Sequence, residues 1–104
     1  MPTEQYHEPA AELSQKTRTF ARMIQSVIEE ADAINWYEQR ISVEKDKDAK
    51  SIMINAQKGE FKHFSMDLEF LLRQKDDWRK IINSVISKPG DIVKNGEKAE
   101  KKVD

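Results

Sequence analysis

With 104 residues the chain has length for one small domain, and 36% charged residues, 38% hydrophobic ones and only three Gly and three Pro suit long amphipathic helices and exclude a turn-rich β fold. The net charge of -1 gives no general pull toward nucleic acid or an anionic membrane. Without cysteine there are no disulfides and no thiolate metal sites, so any metal is held by oxygen and imidazole, which favours iron, manganese or zinc.

The chain opens on the polar "MPTEQYHEP" and has no apolar run of membrane-spanning length, which reads as a soluble protein without an export signal. A first helix is expected from about Pro9 to about Ser42, with Pro9 in its first turn. Its apolar positions step by four and three through Leu13, Thr17, Phe20, Ile24, Val27, Ala31 and Ile34. A neighbouring stripe runs Met23, Val27, Glu30, Ile34, Tyr37, Ile41, so one broad face is expected to be buried. "SVEKDKD", residues 42–48, breaks the pattern and offers Asp46 or Asp48 as the cap of a second helix.

That second helix is expected from about Ala49 to about Gln74. One stripe on it reads Met53, Ala56, Glu60, His63, Asp67, Phe70, beside Phe61, Phe64, Leu68, Leu71 and Leu72. "DDWRKIINSVIS", residues 76–87, predicts a shorter third helix capped by Asp76 and stopped by Pro89-Gly90. The domain is placed at residues 1–90, and the charged stretch 91–104 is expected to be a disordered tail. Its Lys98, Lys101 and Lys102 alternate with Glu97 and Glu100, which argues against a nucleic-acid arm. The expected fold is all-α: an antiparallel hairpin of two long helices plus a short C-terminal helix.

Two carboxylates lie within apolar stripes: Glu30 between Val27 and Ile34, and Glu60 between Ala56 and His63. A buried carboxylate without a partner is costly. A cation between the two would remove that cost, and His63 would add a neutral nitrogen donor. Ferritin-like di-iron bundles use one Glu from each of two helices and one Glu-x-x-His from each of the other two. This chain carries half of that set on half of such a bundle. The simplest completion is a second copy about a twofold axis, giving a four-helix bundle with metals between the subunits. The plain alternative is a surface pair, since Glu-x-x-His steps recur by chance on charged helices.

The start "HEPAAELSQKT", the run "EEADAINWYEQR" (residues 29–40) and "EFKHFSMDLEFL" (residues 60–71) resemble the encapsulated ferritins, over roughly residues 7–73. The resemblance implies a ferroxidase that oxidises Fe(II) at an inter-subunit di-iron centre. It also implies rings of dimers, commonly decamers, working with an encapsulin shell protein inside a cytoplasmic nanocompartment where iron is stored. Carried over, Glu30, Glu60 and His63 match the iron ligands and Tyr37 a tyrosine beside the site. Glu29, Asp32 and Trp36 match residues where iron is attracted before oxidation; other divalent metals could substitute for it. Three departures stand out: Asp32 is shorter than the usual Glu, Lys58 and Gly59 stand where acids are frequent, and Asn35 replaces an Asp. The tail also shows no apolar, Gly-containing peptide of the kind that docks such cargo to a shell. Two other readings of the same residues are a non-catalytic helical interaction module and a ferritin-like protein that uses another metal structurally. Neither nucleic acid nor membrane is expected as a partner.

Overall fold

A computed structural model describes residues 6–104. The regular structure among them is helical: a 3-10 turn at Ala10–Glu12, then α1 (Gln15–Val43), α2 (Lys47–Leu72), α3 (Asp76–Val85) and α4 (Ile92–Lys101). No described helix is long and apolar enough to cross a membrane. The chain divides into two compact units, Met1–Leu71 and Leu72–Asp104.

The first unit is the hairpin. Helix α1 starts at Gln15 and not at Pro9, because Ser14 offers a better cap than a continuous helix would allow. Its backbone is extended and its hydroxyl accepts from the Thr17 N–H at 3.1 Å, satisfying one of the donors left open at a helix start. Pro9 instead precedes the 3-10 turn, and the Arg18 guanidinium donates to the Ala10 carbonyl. At the other end Glu44 leaves the helix with extended backbone while its N–H still donates to Arg40 O.

Three residues turn the chain. The Glu44 carboxylate accepts from the N–H groups of Lys45 and Asp46, at 3.2 and 3.0 Å. Asp46 Oδ1 accepts from the Ala49 N–H at 2.9 Å. Of the two aspartates the sequence offers as caps, Asp46 does the capping, and α2 therefore begins at Lys47. The helices run antiparallel: Gln57 Nε2 donates to Ile34 O at 3.2 Å and to Glu38 Oε1 at 3.0 Å, while Glu30, nearer the start of α1, meets Asp67, farther along α2.

The broad buried face expected of α1 is only half-buried in one chain; no residue of α1 is fully buried. Two helices cannot enclose a stripe from both sides, so Phe20, Ile24, Val27, Ile34 and Tyr37 keep partial exposure. Gln57 is the buried polar residue of the hairpin, and it is satisfied by both of its α1 partners.

The second unit pairs α3 with α4. Lys75 occupies the N-cap position of α3 without a side-chain cap bond, so Asp76 is not the cap. Asp76 and Asp77 instead sit in the first turn, where negative charge is favoured, and Asp76 pairs with Lys80 at 3.1 Å. After the turn, Asp91 caps α4 by accepting from the Lys94 N–H at 2.9 Å. The stretch expected to be a disordered tail thus holds a ten-residue helix. Three local features overcome its low hydrophobicity: the Asp91 cap, the burial of Ala99, and Lys98 and Lys101 in the last turn. Between the helices the backbone turns through Ser87 at φ 63° and Gly90 at φ 98°; glycine takes such a value without steric cost.

The hairpin geometry depends on one cap at its turn. Asp46→Ala should lower stability by about 1 kcal/mol, seen as a lower urea midpoint at unchanged slope. An unchanged midpoint would mean that the cap contributes nothing.

Candidate metal centre

Glu60 and His63 lie one turn apart on α2. The carboxylate can only accept, so His63 Nδ1 carries the proton and donates to Glu60 Oε1 at 3.0 Å. In the neutral ring this leaves the Nε2 lone pair available as a donor to a metal. The imidazole is half exposed, at 50%, whereas the Glu60 side chain retains 24%. His63 is therefore the more exposed member of the pair.

Glu30 faces this pair across the hairpin. Its carboxyl is pushed up from 4.5 to about 7, first by burial, then by a hydrogen bond and charge repulsion from Asp67 and by the charge of Glu60; His63 acts in the opposite sense. Two carboxyl groups can share a hydrogen bond only if one is protonated. Glu30 Oε1 is nevertheless buried with no hydrogen-bond partner, and orphaned oxygens of this kind are rare in folded proteins. A cation set against Glu30 would supply the missing partner and displace the proton. The donor set fits iron, manganese or zinc: two carboxylates and one neutral imidazole nitrogen.

By sequence Asp67 is one member of the α2 stripe with no functional role assigned. The signal was present, since Asp67 follows His63 by four residues in the same stripe. Its weight depends on which α1 residue lies opposite, and that requires the register of the hairpin.

The other candidates stand apart from this group. Tyr37 is half-buried on α1, seven residues and about 10 Å along the axis from Glu30, with the Arg40 guanidinium 5.5 Å from its ring centroid. Trp36 is 52% exposed and, with Gln39 and Arg40, lines a shallow depression. Glu29 and Asp32 are exposed. Asn35 accepts from Gln39 Nε2 at 3.1 Å, an outer-face contact away from the ligand group. Among the described residues, no three or more His, Asp or Glu side chains of one chain converge well enough to hold a metal ion. Glu30, Asp67, Glu60 and His63 sense one another electrostatically without enclosing a common point.

A carboxyl with a raised value favours the protonated form in the folded state. Its contribution to stability is intact below 4.5 and is lost as pH rises through about 7. The metal-free chain should therefore have a lower urea midpoint at pH 8 than at pH 5. Glu30→Gln should flatten the part of this dependence that lies near neutrality. Identical pH profiles for the two proteins would show that Glu30 is not held protonated.

Residues 5–88 match the EncFtn-like family. A ferritin-like protein of Thermotoga maritima is 36% identical over 83 residues, 80% of this chain and 73% of that protein. An encapsulated ferritin-like protein of Rhodospirillum rubrum is 33% identical over 86 residues, 83% of this chain but 61% of that protein. The crystal structure of a Nitrosomonas europaea protein superposes with a TM-score of 0.82 at 34% identity, covering 86% of this chain and 98% of the other. The helical hairpin with its Glu30 and Glu60–His63 groups thus belongs to a chain of the encapsulated ferritin family.

Proposed function

We propose that the chain is a ferroxidase whose iron site is completed by a second copy. Fe(II) is its substrate, held by Glu30, Glu60 and His63 from each of two hairpins about a twofold axis. The observation that carries this reading is the buried, unpartnered Oε1 of Glu30, set opposite the Glu60–His63 pair. One chain brings half of the protein groups of a di-iron bundle centre, and one chain alone does not converge them on a metal.

The apolar surface supports the same completion. On the hairpin Met23, Val27, Ile34 and Tyr37, which share the stripe of Glu30, stay partly exposed, and α1 has no fully buried residue. A second hairpin laid against this face would remove that surface from water and bring two Glu30 carboxylates together. Like charges at such close range repel, so a cation between them would hold the pair together.

Each residue then has a defined task. Glu30 gives up its proton when the metal arrives, and both of its oxygens become available. Glu60 keeps the proton of His63 on Nδ1, so Nε2 stays a donor. The proton that Glu30 gives up passes to solvent, and Asp67 no longer shares it. Tyr37 lies along the seam, where a phenol can hydrogen-bond a ligand or pass an electron. Glu29, Asp32 and Trp36 on the exposed face mark the approach of iron. Oxidation removes one electron from each Fe(II), and dioxygen or peroxide accepts them. The oxidised iron then leaves for storage elsewhere, since paired hairpins form no container of their own.

The name of the Rhodospirillum rubrum relative supports extending encapsulation to this chain. The encapsulin shell, the cytoplasmic nanocompartment and a ring of dimers of decamer size are included in the proposal on that basis.

The test joins assembly to chemistry. Adding Fe(II) without oxygen should convert the chain to paired species, with about one iron per chain, by sedimentation and metal analysis. In air, the growth of Fe(III) absorbance should be lost in Glu30→Ala and in His63→Ala while helical circular dichroism is retained. Oxidation at the wild-type rate in either variant would refute the assignment. Iron binding and pairing without oxidation would favour a structural metal, and pairing indifferent to metal would favour a plain interaction module.

A further inference from the structure

The second unit carries a cluster of cationic residues that the iron reading does not use. Asn83, Ser84, Lys88, Pro89, Asn95, Lys98 and Lys102 line one partly enclosed cleft of about 440 Å³ between α3, the turn and α4. Three of these residues are lysines, and no acidic residue is in its wall.

Helical periodicity produces this separation of charge. Asn95, Lys98 and Lys102 follow one another by three and four residues and share one face of α4. Glu97 and Glu100 fall on the far side of the same helix. The connection supplies Lys88 and Pro89, placed by the turn through Ser87 and Gly90. Asn95 Nδ2 donates to Pro89 O at 3.1 Å, which ties the turn to α4. Lys102 Nζ donates weakly to Ser84 Oγ at 3.4 Å, and Ser84 in turn donates to Lys80 O at 3.0 Å. Among the described residues, none of Lys88, Lys98 and Lys102 has a carboxylate partner, although α4 contains two glutamates.

Three like charges around one cleft repel each other, and a multivalent anion removes that repulsion. The ligand chemistry follows from the donors. Lysine acts on phosphate as a point charge with three N–H donors, and the amide of Asn83 adds neutral ones. A phosphate carries more than one negative charge near neutral pH, about 1.5 to 2, and offers several acceptor oxygens, a better match to three cations than a single carboxylate. The volume also leaves room for water or for a second phosphoryl group.

We infer that the α3–α4 cleft is a binding site for phosphate-type oxyanions, formed by Lys88, Lys98 and Lys102. It lies wholly within the second unit and is independent of the proposed iron chemistry. Calorimetric titration of the full chain with inorganic phosphate, and in parallel with pyrophosphate, at constant ionic strength set by chloride, tests it. The expected result is saturable binding of one anion per chain, weakened about tenfold or more in Lys98→Gln/Lys102→Gln. The control Lys94→Gln/Lys101→Gln removes the same charge from α4 outside the cleft and should bind as the wild type does. Tighter binding of pyrophosphate would identify a polyphosphate site, and equal or weaker binding a site for single phosphates. No saturable heat with either anion, or equal weakening in both double variants, would overturn the assignment.

Discussion

An ionised carboxylate inside an apolar seam costs free energy unless a cation or a proton shares it. Glu30 is held in that position, and the isolated chain resolves the cost with a proton, raising the carboxyl to about 7 and setting it against Asp67. The resolution is incomplete, because Oε1 remains without a partner. The rest of the hairpin sets this placement. The Ser14 and Asp46 caps fix where the helices begin, and with them the register that puts Glu30 opposite Asp67, Glu60 and His63. Gln57 bonds both Ile34 and Glu38 one to two turns away and locks that register.

The hairpin's apolar surface tells the same story on a larger scale. A pair of helices can bury only the strip where they touch, and here the remaining apolar residues stay half-covered. A small domain with so little enclosed core gains much from association. The proposed pairing of hairpins would satisfy two shortages together: apolar surface that lacks cover, and a carboxylate that lacks a cation. Metal binding and assembly would then be one thermodynamic event, so the affinity for iron and the strength of pairing would each include the other.

The second unit obeys a different logic. Its helices are short, and its buried residues are Leu72 and Ala99. Order there rests on local devices: the Asp91 cap, the acidic first turn of α3 and the Asp76–Lys80 pair. Exposed pairs of this kind contribute little each. The unit's surface chemistry is correspondingly freer, and one of its clefts is lined by lysines and by no acidic residue.

Residue order alone determined the long amphipathic helices, the short antiparallel connection and the pairing of Glu60 with His63, because each follows from spacing along one helix. Family membership was legible for the same reason, since runs such as "EEADAINWYEQR" lie on contiguous turns. Ser14 competes with Pro9 as the start of α1, and only the folded backbone decides between them. In the tail, average polarity hides a good cap and one well-placed alanine. Asp67 and the lysine cleft depend on what lies across from them. Contacts between elements are set by register and by side-chain direction in three dimensions, quantities that a linear pattern constrains but does not contain.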